Sequence, residues 1–246
     1  MDIAAFTHPG PRRRWNEDAC FSDSAAGLLV VADSQGGDCA GVEFKAILEN
    51  VAARFQTRFM ALGVLPVQAQ SELLRRFLNV LAMETHLAFL THPHYFFGSE
   101  VTACYATNTT YALAHVGGCR AYLVRGHVVS QLTQDHRWAM EEVRAARLSL
   151  HDALEHPLFS LPTRMLSHEP PPPIDTRIGS LSQEDRLVLV SDGVWRVLSD
   201  EVIARVARDC TRAAEAVVAL GDAAIAADSP DNLAVAVALA PAAPPA

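Results

Sequence analysis

The chain has only five cysteines in 246 residues, and no two of them form a CxxC pair. A closed structural zinc site needs four clustered ligands, so Cys20, Cys39, Cys104, Cys119 and Cys210 argue against one. They read instead as small thiols in a reducing compartment. Long apolar runs are also missing, and nothing in the sequence reaches the length of a membrane span. The first ten residues, MDIAAFTHPG, lack a charged segment followed by an apolar stretch, which argues against a secretory signal. The expected location is therefore the cytoplasm. Basic residues are in deficit: 20 Lys and Arg stand against 28 Asp and Glu, for a formal charge of −8. Nucleic-acid binding needs a clustered basic face, and the only basic cluster is Arg12, Arg13 and Arg14. No internal repeat, GxGxxG or P-loop pattern is present.

Hydrophobic residues make up half of the chain, enough for a sizeable core. No central linker divides the sequence, so one domain over residues 1–240 is expected, followed by a Pro/Ala tail at 241–246. Residues 3–6, 28–32 and 186–190 are short apolar runs that read as strands, and LAVAVAL at 233–239 is another. Between 101 and 132, four β-rich runs are punctuated by Asn108, Gly117-Gly118 and Gly126, which suggests hairpins. Helical spacing appears over 40–59, with Val42, Ile47, Val51 and Phe55 on one face, and over 68–90. Further helices are expected over 135–154, from Ser199-Asp200-Glu201 onwards and over 211–227. Strands gathered in hairpins with long helices outside them predict an α+β sandwich.

Three aspartates occupy one kind of place in this pattern. Asp33 follows the run LLVVA, Asp192 follows RLVLVS, and Asp231 precedes LAVAVAL. Carboxylates at strand ends are rigidly held yet open to solvent, and several together suit a hard divalent cation such as Mg²⁺ or Mn²⁺. Each alone is equally well a turn or cap residue.

Five segments resemble, in order, the motifs of the PPM family, the PP2C-type protein phosphatases in their compact bacterial form. RRWNED at 13–18 resembles R-x-x-N-E/Q-D, and VVADSQGGDCAG at 30–41 resembles VVADGMGGHxAG. AHVGGCRAYLVRGHVVSQLTQDH at 114–136 resembles AHVGDSRxYLxRxGxLxxLTxDH. DRLVLVSDGVWRVL at 185–198 resembles DRLLLCSDGLTDxL, and SPDNLAVAV at 229–237 resembles xxDNxTVVV. The resemblance implies two central antiparallel sheets flanked by helices, an α-β-β-α sandwich. It implies two Mn²⁺ or Mg²⁺ ions, bridged by Asp33 and held also by the Ser34 carbonyl, Asp192 and Asp231. It gives Arg13 the substrate phosphate, and Glu17 and Asp18 the orientation of water. The implied reaction is attack of a metal-bridging hydroxide on phosphoserine or phosphothreonine of a protein. A monomer opposing a serine/threonine kinase is the implied setting.

The sequence also departs from those motifs. Ser34 and Gln35 replace glycine and methionine, and Asp38 stands where histidine is usual. A serine held at positive φ would cost roughly 1 kcal/mol or more. Gly118-Cys119 replaces Asp-Ser, where the family aspartate helps hold a third, weaker metal together with the aspartate matching Asp192. That third metal is expected to be lost, and Gly118→Asp is expected to rebuild its site. An active phosphatase and a degenerate member serving as a regulatory or interaction module both remain open at this point. Cys119 reads as a small core residue and the His92/His94 pair as a surface loop, while Trp195 is open to either a place in the cleft lining or core packing.

Overall fold

The computed structural model describes residues 1–36, 40–91, 98–167 and 169–241. Asp38, Cys39, His92, His94 and tail residues 242–246 lie outside them. The strands are β1 Asp2–His8, β2 Ala19–Asp23, β3 Leu28–Gln35, β4 Gly98–Ala106, β5 Thr110–Val116, β6 Arg120–Arg125, β7 Val128–Gln131, β8 Asp175–Ser180, β9 Arg186–Val190 and β10 Leu233–Leu239. The helices are α1 Ala40–Met60, α2 Val67–Thr91, α3 Trp138–Arg144, α4 Leu150–Glu155, α5 Asp192–Trp195, α6 Asp200–Asp209 and α7 Ala213–Ala226. One five-stranded sheet runs β1-β10-β9-β6-β7, the other β2-β3-β4-β5-β8, and every pairing is antiparallel.

The alternation of side chains along the strands divides the core into three layers. In β3, Leu28, Val30 and Ala32 pack with Phe44, Phe59 and Phe77 of α1 and α2, while Leu29 and Val31 join the layer between the sheets. In β10, Leu233, Val235 and Val237 pack against α6 and α7, while Ala234, Ala236 and Ala238 face the other sheet. The result is helix, sheet, sheet, helix, as expected. Among the described residues no helix is long and apolar enough to cross a membrane.

Several boundaries differ from the sequence reading. Asp33 and Ser34 sit inside β3, which runs on to Gln35. Asp192 opens the short α5 instead of ending β9. Val42 is 69% exposed; the buried stripe of α1 is Phe44, Leu48, Val51, Phe55 and Phe59. The helix expected over 135–154 is two helices, because Ala146 turns the chain with φ 55° and Ser149 caps a fresh start by accepting from the Asp152 N–H. Strands β2 and β8 carry no sequence signal of their own. β8 is an exposed edge strand whose sequence, DTRIGS, is mostly polar.

Candidate active site

One cleft of about 410 Å³ is lined by Arg13, Glu17, Asp33, Ser34, Asp192 and Asp231. The second acidic position of the N-terminal motif, Asp18, lies buried next to it. All seven residues singled out in the sequence therefore meet at one end of the two sheets. Among the described residues, no three Asp, Glu, His or Cys side chains form a ready-made metal cage.

The local structure explains how they meet. In the β3–β4 register, Asp33 lies opposite Glu100 and Ser34 opposite Ser99, and the Ser34 and Ser99 hydroxyls are 2.8 Å apart. Ser34 is not among the residues with positive φ, so the strain expected of a serine there is absent. Glu17 Oε1 accepts from the Gly36 N–H at 3.1 Å, tying the loop before β2 to the end of β3. Asp231 Oδ2 accepts from Arg13 Nη2 at 2.9 Å, and its Oδ1 accepts from the Asn232 N–H. Arg12 instead pairs with Asp228, and the Arg14 guanidinium lies over the Trp15 ring.

Asn232 is one residue whose role the sequence reading missed. Its Nδ2 donates to the carbonyls of Pro9 and Trp15, both at 2.8 Å, and its Oδ1 accepts from the Glu17 N–H at 2.9 Å. One buried amide thus fixes the loop that carries Arg13 and Glu17. Gly193 serves the same junction: a Cβ there would lie 1.9 Å from the Asn232 carbonyl oxygen. Only glycine lets α5, and with it Asp192, come so close to the turn that carries Asp231. Asx residues flanking a strand are common, so the Asp231-Asn232 pair gave a motif match but no hint of this bracing.

The cleft is rich in negative charge. Burial pushes the Asp33 carboxyl well above the usual range, and Asp192, Asp18 and Glu100 push it further. Asp18 is raised chiefly by burial, and its 2.6 Å hydrogen bond from Ser191 opposes that. Such a set of oxygen donors, short of cation charge, fits hard divalent ions that keep several waters. One buried cation is built into the cleft. Arg137, 1% exposed, donates through Nη2 to Glu100 Oε2 at 3.1 Å and to Asp192 Oδ2 at 3.2 Å. Arg196 reaches the same Asp192 oxygen at 3.4 Å. The sequence reading passed over Arg137 because it lies one residue beyond the LTQDH motif.

The structure buries both Cys119 and Trp195. Cys119 is fully buried, and burial raises its thiol well above the usual range. Trp195 is 8% exposed; its Nε1 donates to the Gly118 carbonyl at 2.9 Å, and the Arg120 guanidinium stacks 3.6 Å from its ring centroid.

Comparison with known proteins agrees with this geometry. The protein phosphatase 2C family profile matches residues 13–145 and 163–233. The chain is 27% identical over 180 residues to the serine/threonine phosphatase Stp of Listeria monocytogenes, covering 70% of this chain and 68% of that one. It superposes on the crystal structure of the Mycobacterium tuberculosis serine/threonine phosphatase PstP with a TM-score of 0.83 and 25% identity, over 96% of both chains. A structure of the PstP catalytic domain in complex with two manganese ions shares the fold at a TM-score of 0.79 and 24% identity, over 96% of both chains. The chain belongs to the protein phosphatase 2C family and is a serine/threonine protein phosphatase of the bacterial kind.

Proposed function

We propose that the chain hydrolyses phosphoserine and phosphothreonine in proteins at this cleft, with two Mn²⁺ or Mg²⁺ ions held by Asp33, the Ser34 carbonyl, Asp192 and Asp231. The observation that carries the reading is the convergence of these oxygens with Arg13 in one cleft. Bound there, the ions would supply a water acidic enough to attack phosphorus at neutral pH and would offset charge on the phosphoryl oxygens. Arg13, half exposed at the rim, is placed to turn its planar guanidinium from Asp231 to the substrate phosphate. Glu17 and Asp18 orient water from the floor of the cleft. Gly118 offers no carboxylate, so a third ion has no ligand on that side.

The partner is a phosphorylated protein, and a serine/threonine kinase would make it. Every residue the reaction needs lies on one chain, which is compatible with a monomer. The described thiols, Cys20, Cys104, Cys119 and Cys210, are all unbridged, and this suits the cytoplasm. The test is hydrolysis of an aryl phosphate and a phosphothreonine peptide, with Mn²⁺ and with a chelator. Metal-dependent release of phosphate from both is expected. No release with Mn²⁺ by folded protein would overturn the reading in favour of a non-catalytic module.

A further inference from the structure

Gly118 and Arg137 occupy each other's space. A Cβ built on Gly118 would lie 2.4 Å from Arg137 Nε and 2.6 Å from its Nη2. The backbone of Gly118 is not in the left-handed region, so the glycine answers to the arginine and not to a turn. The arginine is held from several sides. Nη2 meets Glu100 and Asp192, and Nη1 donates to the Ser160 carbonyl at 3.2 Å. Its backbone bridges to Pro162, and the next N–H, of Trp138, donates to the Leu161 carbonyl at 3.0 Å. Trp195 closes the back of the pocket, with its ring centroid 5.4 Å from the guanidinium. Glu100 in turn accepts from the Gly118 N–H at 2.9 Å.

A guanidinium keeps its charge at every pH at which the protein is folded. A buried ion cluster of this kind is poor value for stability alone, because apolar side chains of similar volume usually do as well. This cluster also touches a residue of the cleft. Position 118 is where the family resemblance places a carboxylate for a third ion, shared with Asp192. The residues present do not fit that ion: the carboxylate is missing, and a cation already lies against Asp192.

We propose that Arg137 is a built-in cation standing in for the third metal ion, offsetting the charge of Asp192 and Glu100 and leaving the chain with two ion sites. The proposal rests on the two-ion reading above. Arg137 acts through Asp192 and so is a positioning residue. It also revises the expectation for Gly118→Asp. The new side chain must displace a pinned guanidinium, so that substitution alone does not rebuild a site.

Equilibrium dialysis with Mn²⁺, without substrate, counts ions per chain and gives their Kd. The wild type and Gly118→Asp should each hold two ions, with Gly118→Asp melting at a lower temperature. Gly118→Asp combined with Arg137→Met should hold three, and Gly118→Asp combined with Arg137→Lys only two. Arg137→Met alone should tighten Mn²⁺ binding roughly ten-fold, because Asp192 then shares its charge with Arg196 alone and no longer with the buried Arg137. Arg137→Lys alone should stay within about two-fold of wild type, since the positive charge beside Asp192 is retained. A merely structural arginine predicts the opposite, looser binding in the methionine variant. If a methionine variant unfolds without metal, millimolar Mn²⁺ should restore a cooperative melt; failure to do so counts against the proposal. A third ion in Gly118→Asp alone, or none in the methionine double variant, overturns it. Absence of Mn²⁺ binding by the wild type would instead defeat the two-ion reading itself.

Discussion

Ser191 Oγ donates a 2.6 Å hydrogen bond to Asp18 Oδ2 across 173 residues of sequence. The same oxygen accepts from the Ala234 N–H at 2.9 Å. One buried hydroxyl therefore joins the approach to β2, the end of β9 and the start of β10. These are the three strands whose ends bring Asp18, Asp192 and Asp231 together.

Replacing Ser191 with alanine removes a donor to a buried carboxylate and leaves a buried N–H without its acceptor. Each such loss costs about 1–3 kcal/mol. Ser191→Ala should lower stability by roughly that amount in urea denaturation of the metal-free protein, with an unchanged m-value. Wild-type stability in that measurement would show that the bond contributes nothing.

Arg13 and Arg12 are adjacent, but their partners differ. Arg13 pairs with Asp231 in the cleft, while Arg12 pairs with the exposed Asp228 outside it. If Arg13 grips the substrate phosphate as proposed, Arg13→Ala should raise KM for a phosphothreonine peptide by about ten-fold or more. Arg12→Ala should change KM less than about two-fold, as surface ion pairs contribute little. Equal effects would point to a diffuse basic patch in place of a defined contact.

Much of this arrangement was legible in the sequence, and the parts that were not share a cause. Apolar runs gave β3, β9 and β10 because those strands are buried on both faces. β2 and β8 escaped because edge strands with half-polar sequences have no periodicity to read. Asp33, Asp192 and Asp231 were found through motifs with fixed spacing. Asn232 and Arg137 were missed because their importance lies in what they touch across the fold. The Asn232 side chain spans 223 residues to reach Pro9, and Arg137 spans 55 to reach Asp192. Gly118 showed the converse. The sequence revealed a missing carboxylate, but only the structure shows that a guanidinium fills its place.

Behind the cleft, the rings of His115 and His136 stack with centroids 4.8 Å apart. Burial, helped by the neighbouring His136, pushes His115 down to about 4. His136 is also lowered, first by burial, although Asp175 opposes this; its Nδ1 accepts from the Gly117 N–H at 3.0 Å. The unfolded chain binds protons at these rings near pH 6.5 and the folded chain does not. Stability from this source is therefore fully present above about pH 6.5 and is lost as pH falls towards 4, by on the order of 3 kcal/mol for His115. Denaturant midpoints at pH 7.5 and pH 5 should show the fall, and His115→Asn should flatten it. An unchanged slope in that variant would place the titration elsewhere.

Asp33 sets function against stability. Its carboxylate is 9% exposed and faces Asp192, Asp18 and Glu100, with Arg137 giving only partial relief. Without metal, the charged form is unfavourable in the folded state and easily hydrated in the unfolded one. Asn has nearly the same shape and no charge. Asp33→Asn should therefore raise the melting temperature in chelator by about 2–4 °C, the effect of roughly 1 kcal/mol on a chain of this size. With Mn²⁺ the order should reverse. Ions bound as proposed, to the folded state alone, would stabilise the wild type, and the variant, without that carboxylate, would gain little. Its kcat should fall by about 100-fold or more, as expected when a group that positions the reacting water is removed. The two melting curves and the rate test separate things. A lower melting temperature in chelator would mean that Asp33 is held by favourable contacts in the metal-free fold. A preserved Mn²⁺ shift would mean that the ions do not use it.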